Sequence, residues 1–415
     1  MFKNPRLLLI YAIVLLDVII GSASGPVLPQ FVRGLAQPQL WLTLGTAVFL
    51  GVQLVSAPVL GALSDQLGRR PLVIVSSIGT LLANVFLLPI KAGLFFVNRL
   101  SDGLTNGLYA LMRSSVADTS EPAEVVENTG LLSTLQSLGA VLGPLVATAV
   151  FFFVPQPGQQ ARWVVLAVLG LAALNIGLSW FFQETAKEPQ PYNAAELKKQ
   201  IRQNLSIKHL WTRIREMDGD KPGLTSLTLL TLLLTLNQGY LNYFIPYIGL
   251  GQLKLSPTQI SYFFVFFGGL SAIANYIYFK YLLDKLDKKK VLVVAAWLGV
   301  ALHLLYANVH SSVLLLYLAA AADAVSVSLI GGLLNGLVAQ LSGEKDRGEL
   351  FGITQALAGA ASLVTTLVYG GLSLVSLNAP FYWFALCMAA LATMAMRLQV
   401  PAPPADQAAP APAPA

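Results

Sequence analysis

Apolar residues run through this chain in long unbroken blocks separated by short polar breaks. Each block has roughly the 17 to 25 residues that a helix needs to cross a bilayer. In the first half of the chain the blocks lie at 7–30, 40–62, 71–90, 93–116, 127–153 and 162–183. In the second they lie at 223–250, 258–282, 290–309, 311–341, 348–375 and 379–398. They are continuously apolar and do not alternate with a period of two, which selects helices over a membrane barrel. The pattern predicts an all-α membrane protein of twelve transmembrane helices.

Charge then orients the chain. Only 11% of residues are charged, against about 25% in a typical soluble protein. Of 26 basic residues, 21 fall on one side of the spans, including Lys3, Arg6, Arg69, Arg70, Arg113 and the eight from Lys187 to Lys221. Arg33, Lys91, Arg162 and Lys254 fall on the other, and Arg99 lies within a span. By the positive-inside rule both termini are expected in the cytoplasm, with the chain multi-pass in the inner (plasma) membrane. The net charge of +6 thus reflects topology, and no nucleic-acid partner is expected. Lys3, Arg6 and the small residues Gly21-Ser22-Ala23-Ser24 imitate a signal peptide. Its removal would leave eleven spans and invert every loop, which the charge distribution opposes.

The longest polar stretch, 184–222, divides the spans into bundles at 1–183 and 223–399, with a Pro/Ala-rich tail at 400–415 expected to be disordered. Within that stretch Asn193 and Glu196 suggest a helix start. Leu197, Ile201, Leu205, Ile207, Leu210, Trp211 and Ile214 follow at helical spacing against a basic side. The reading is a cytoplasmic linker with amphipathic helices on the membrane surface; a solvated linker is the alternative.

The halves repeat. Gly61-Ala-Leu-Ser-Asp65-Gln-Leu-Gly68-Arg69-Arg70 follows span two, and Lys280-Tyr-Leu-Leu-Asp284-Lys-Leu-Asp287-Lys288-Lys289 follows span eight, offset by 219 residues. The first copy resembles the signature joining helices two and three of major facilitator superfamily transporters, with Gln66 replacing a usual basic residue. The resemblance implies the major facilitator fold, two pseudo-symmetric six-helix bundles. Gly61 is expected to permit close helix approach and Gly68 a tight turn. Asp65, Arg69 and Arg70, with Asp118, are implied to form a conformational latch stabilising the outward-facing state. A topogenic basic loop is the plainer reading.

Span one, Leu16-Asp17-Val-Ile-Ile-Gly21-Ser-Ala-Ser24-Gly25-Pro26, resembles the first helix of the drug:proton antiporter branch. Asp17 falls near the midplane, where a bare carboxylate is expensive and a proton carrier is useful; a structural hydrogen bond is the alternative. In span four Arg99, Asp102, Asn106, Tyr109 and Arg113 recur every three or four residues, so one continuous helix would put all five on a cavity-lining face. Arg99-Leu-Ser-Asp102-Gly103 resembles the family's fourth-helix motif, which implicates the arginine in proton transfer. An Arg99–Asp102 pair would favour Asp17 as the proton site; the reverse assignment stays open, as does a merely structural pair.

Gly139-Ala-Val-Leu-Gly143-Pro144 resembles the antiporter motif of helix five and predicts a close, kinked helix contact. Ala147-Thr148 replaces its usual glycine pair. Gln136, one turn earlier, is assigned to the cavity with Ser24. Thr228, Thr231, Thr235, Gln238 and Asn242 form the expected opposing wall in span seven. Tyr240, Tyr243, Phe244, Tyr247, Tyr262, Phe263, Phe264, Phe266 and Phe267 suit a bulky substrate, though lipid contact accounts for such rings as well. Asp323 in span ten is a second proton-coupling candidate, and His303 reads as packed or lipid-edge. No P-loop, zinc-site spacing or nucleophile motif occurs in a suitable context.

Together these features predict a proton-coupled exporter of small amphipathic compounds, working by alternating access. No enzyme activity, cofactor or metal is expected; protons, a small-molecule substrate and the bilayer are its partners, and a monomer suffices. A sugar, other metabolite or lipid, exported or taken up by symport, fits the arginine and acid stripe too. A non-transporting membrane sensor would carry an appended folded domain, which the sequence does not provide.

Overall fold

The computed structural model describes residues 4–121, 124–186, 194–220, 222–282, 285–308, 312–341 and 347–398. Every regular element among them is helical. Ten helices are long and apolar enough to cross a membrane: Pro5–Val27, Pro38–Leu67, Asn128–Phe153, Gly158–Trp180, Leu224–Leu250, Pro257–Leu282, Lys288–Asn308, Val313–Val338, Gly352–Leu372 and Ala379–Arg397. They correspond to ten of the twelve expected spans. Span three is a helix of 17 residues, Arg69–Val85, extended by turns to Pro89.

Span four is not one helix. It breaks into Ala92–Thr105 and Leu108–Thr119 around Asn106-Gly107. Span two causes the break. Ser56 Oγ donates to the Gly103 carbonyl at 2.5 Å, and Gln53 Nε2 donates to Asn106 Oδ1 at 2.7 Å. A Cβ on Gly103 would collide with the Phe49 carbonyl, so span two approaches backbone to backbone. The expectation that Arg99 through Arg113 share one continuous face is therefore corrected.

Each half buries its own core. Spans one, five and six pack together in the first half, spans nine and twelve in the second, and the halves meet through pairs one/seven, two/eleven and five/eight. The meeting points run from mid-span toward the face opposite the linker, here called the far face. Leu54 meets Gly359 and Val141 meets Gly268 near the middle, while Thr43 meets Gly370 and Pro29 meets Gly249 further out. Ser261 of span eight donates to the Pro144 carbonyl of span five.

Ser133, Gln136 and Ser137 of span five and Asn335 of span ten, on the linker side of mid-span, and Asn242 of span seven, just past mid-span, are exposed within apolar helices. Lipid would penalise those polar side chains, so they mark a water-accessible cleft between the halves. The molecule is open toward the linker face and closed on the far face.

The linker forms helices Ala194–Leu205 and Ile207–Asp220. Leu210, Ile214 and Met217 are buried in the core of the second half, and the first linker helix packs against spans two and eleven. The apolar side of the second linker helix is thus satisfied by protein, not by lipid as its amphipathic pattern suggested. Asn193, Asp284 and the tail lie outside the described residues.

Candidate functional site

Spans one, three and four converge on a polar cavity of about 30 Å³ lined by Asp17, Gly21, Ser24, Thr80, Asn84, Arg99, Asp102 and Asn106. That volume suits water and is far below the roughly 300 Å³ of a small-ligand site. Asn106 reaches the cavity because the helix break turns it there, and it lines the cavity beside Asp102. Asp17 and Asp102 are close enough to interact electrostatically. Asp17 has no hydrogen-bond or ion-pair partner among the described residues.

The expected Arg99–Asp102 ion pair does not form at contact distance. Arg99 Nε instead donates to Asn98 Oδ1 at 2.7 Å, and its guanidinium lies 5.5 Å from the Phe95 ring centroid and 5.9 Å from that of Phe49. Asn98 is itself anchored to the Ala83 carbonyl at 2.9 Å. The cation is held by rings and an amide, and acts on Asp102 through space.

Beyond the helix break, Tyr109 Oη lies 3.3 Å from Ser133 Oγ on span five. Arg113 is one turn nearer the linker face and half-buried, and Gln136 of span five is exposed. Across the cleft, Ile245 of span seven touches Gly25. Asn242 and Gln238 lie one and two turns below it on the same face, as the spacing predicted. The aromatic residues divide differently from expectation. Tyr240, Tyr243, Phe244, Tyr247 and Phe263 are buried, packed edge to face inside the second half, and do not line the cleft. Tyr240, Tyr243, Phe244 and Tyr247 occupy the side of span seven opposite Gln238 and Asn242.

The Major Facilitator Superfamily model matches residues 7–218 and 227–415. The chain belongs to the major facilitator superfamily. That family is one of multi-pass membrane transporters, with which the ten membrane-length helices agree. Among curated relatives, tetracycline resistance protein class B of Escherichia coli is 29% identical over 41% of this chain and 42% of its own length. The class E protein of Escherichia coli is 25% identical over 53% of each. The proton-coupled folate transporter of Rattus norvegicus is 30% identical over 41% of this chain and 37% of its own length. These matches span about half or less of each relative. Among solved structures, the human organic anion transporter MFSD10 superposes with a TM-score of 0.67 at 19% identity, covering 95% of this chain and 100% of that one.

In this major facilitator protein the signature loop builds a compact charge network within the first half. Arg69 Nη1 lies 2.5 Å from Asp65, and Arg69 Nε lies 3.1 Å from Asp118. Gly68 has φ +93°, the left-handed region expected of its turn. Gly61 has open space where a Cβ would sit, so the close helix approach expected there is absent. Arg70 donates to the Trp180 carbonyl at 3.1 Å and takes no part in the ion pairs.

Glu184, just past span six, completes the loop and was read only as the start of the linker. Its carboxylate accepts from the backbone N–H groups of Arg69 at 2.9 Å and Arg70 at 3.0 Å, capping the exposed start of span three. Partial burial opposes the charge, but these donors with those of Ala186 and Thr185 hold its carboxyl below the usual glutamate range.

The helix-five motif lies against span one. A Cβ on Gly139 would collide with Val18, and one on Gly143 with Ser22 and the backbone of span one. Asp323 lies elsewhere, fully buried inside the second half with His303, which is packed. Gln53, Ser56, Thr80, Asn84 and Asn98 belong to the site and carried no motif. Their only signal was polarity inside an apolar span.

Proposed function

We propose that this transporter exports small amphipathic compounds in exchange for protons, by alternating access of the cleft to the two membrane faces. The linker face is cytoplasmic on this reading, which the concentration of Lys and Arg there supports. One observation carries the proposal: Asp17 and Asp102 share a water-sized pocket with Arg99 and two amides, in the half that also bears the charge network. Two carboxyls so close favour holding one proton between them. Bound substrate in the adjacent cleft and a proton in the pocket then compete, and each drives off the other.

Exchange needs little from the chain beyond this. Arg99 biases the pair electrostatically, and Gln53 fixes Asn106 so that it steadies Asp102. The substrate meets Tyr109, Arg113, Gln136, Gln238 and Asn242, a wall of neutral polar groups with one cation. The likeness to tetracycline resistance proteins supports efflux of a polycyclic amphiphile. Arg113 on that wall and the likeness to the proton-coupled folate transporter support a second reading, symport of an organic anion.

Thermal stabilisation of the purified monomer across a ligand panel, followed by liposome flux with and without a pH gradient, tests the proposal. Stabilisation by polycyclic or lipophilic amphiphiles, with flux that follows the gradient, is expected. Stabilisation only by sugars, amino acids, lipids or folates overturns the substrate class.

A further inference from the structure

The 219-residue repeat relates more than the two loops. The same offset carries Thr80 onto Gly299 and Asn84 onto His303. Offsets of 220 and 221 carry Asp17 onto Asn237 and Asp102 onto Asp323. The structure reproduces a bond at matching positions. Asn84 Nδ2 donates to the Thr80 carbonyl at 2.8 Å in span three, and His303 Nδ1 lies 2.6 Å from the Gly299 carbonyl in span nine. The second half thus holds a counterpart of the proton pocket, assembled from Asn237, Tyr240, His303, Tyr306 and Asp323.

That counterpart is chemically unfinished. Tyr306 Oη donates to Asp323 Oδ2 at 3.3 Å, while Oδ1 is buried with no partner. Tyr240 Oη faces the same carboxyl without reaching hydrogen-bond geometry, and Asn237 Oδ1 is also unpartnered. A carbonyl only accepts, so His303 Nδ1 carries its hydrogen toward Gly299. Nε2 then accepts from Asn237 Nδ2 at 3.3 Å, whose other hydrogen goes to the Phe384 carbonyl at 3.0 Å. The imidazole is therefore neutral and offers Asp323 no charge.

Nor does anything else. Span ten packs against spans seven, eight and nine. Span seven brings Tyr240, span nine His303 and Tyr306, and span eight brings Ser271, which bonds the Ala324 carbonyl. Segments 222–253, 255–279 and 291–344 contain no Lys or Arg. A buried carboxylate without a cation is among the costliest arrangements a protein can hold. A proton on Oδ1 removes the charge and turns an orphan acceptor into a donor.

We infer that Asp323 is a second proton-binding centre, the repeat partner of Asp102, sealed from the cleft by Tyr240. The seal follows from one difference between the halves. Gly21 leaves open space beside the first pocket, whereas beside the second the ring of Tyr240 is fully buried. The first pocket therefore exchanges protons with cleft water directly, and the second only when Tyr240 moves. This centre stands apart from the coupling role of Asp17 and Asp102, so either reading can fail alone.

Infrared spectroscopy of the full chain in liposomes tests it through the carbonyl band of a protonated carboxylic acid, which shifts on deuteration. Asp17→Asn/Asp102→Asn protein is expected to keep such a band at neutral pH, and adding Asp323→Asn to remove it. Tyr240→Gly should speed deuteration of the band at least tenfold. Should the triple variant fail to fold, Tyr306→Phe keeps the ring and deletes one hydrogen bond to the carboxyl, so the band must move. A band that survives Asp323→Asn, a double variant without one, or a band unmoved by Tyr306→Phe overturns the inference.

Discussion

Thr148 and Ser261 hold their hydroxyl oxygens 2.7 Å apart, one on span five and the other on span eight. Ser261 donates its hydrogen to the Pro144 carbonyl, so its oxygen accepts from Thr148, whose hydroxyl also lies 3.0 Å from that carbonyl. A helix-five residue that departs from the antiporter motif therefore closes the far face. Both hydroxyls meet at the carbonyl of Pro144 within span five, and Ser261 thereby joins the two halves.

Loss of this clasp should favour opening on the far face. A neutral hydrogen bond contributes about 1 kcal/mol, so Thr148→Val is expected to shift the balance about fivefold. Cysteine accessibility on the far side of the cleft measures it. Conversely, a Thr148→Cys/Ser261→Cys pair should cross-link in oxidant and stop transport until reduced. Free transport in the fully cross-linked protein would show that the far face need not open.

Glu184→Gln should destabilise the first half by up to about 1 kcal/mol, because a neutral amide replaces a carboxylate at a helix N-terminus. The pH dependence has a definite sign. A carboxyl held below its ordinary value of 4.5 gives its full contribution above that pH. The contribution is lost as pH falls through the lowered value. Melting curves of wild type and Glu184→Gln should therefore differ near neutrality and converge in acid. Gly68→Ala should be costlier, combining positive φ with collision against Glu184; equal stability of Gly68→Ala and wild type would contradict this geometry.

Gln53→Leu should impair transport without contacting substrate. It removes the 2.7 Å bond that holds Asn106 and leaves a part-buried amide oxygen short of a donor. Asn106 then no longer steadies Asp102. Flux driven by a pH gradient should fall about tenfold, while substrate affinity, read by thermal shift, stays within about twofold. An equal loss of both would place Gln53 at the substrate instead.

The spans were legible because bilayer thickness imposes a length on apolar runs, and the loop because Gly68, Asp65 and Arg69 must lie at fixed spacing to turn and pair. Where two elements had to meet, the sequence was silent. Leu104-Thr-Asn106-Gly107 reads as continuing helix until Gln53 and Ser56 of span two are seen to compete for its backbone and side chain. Glu184 sits 115 residues from Arg69, and nothing local marks it as a cap. Polar spacing pointed to the Gln238 and Asn242 side of span seven as the wall, but ring content alone could not show that Tyr240, Tyr243 and Phe244 are buried inside the second half. Arg99 and Asp102 had the spacing of an ion pair, and rings rather than the acid hold the arginine.

The central claim is that Asp17 and Asp102 share the proton that drives transport. Its most direct measurement is substrate flux in liposomes carrying wild type, Asp17→Asn or Asp102→Asn protein, each with and without an imposed pH gradient. The account predicts that both variants still bind substrate and exchange it across the membrane down its own gradient, while the imposed pH gradient no longer accelerates them. Full gradient-driven transport by both variants would contradict it.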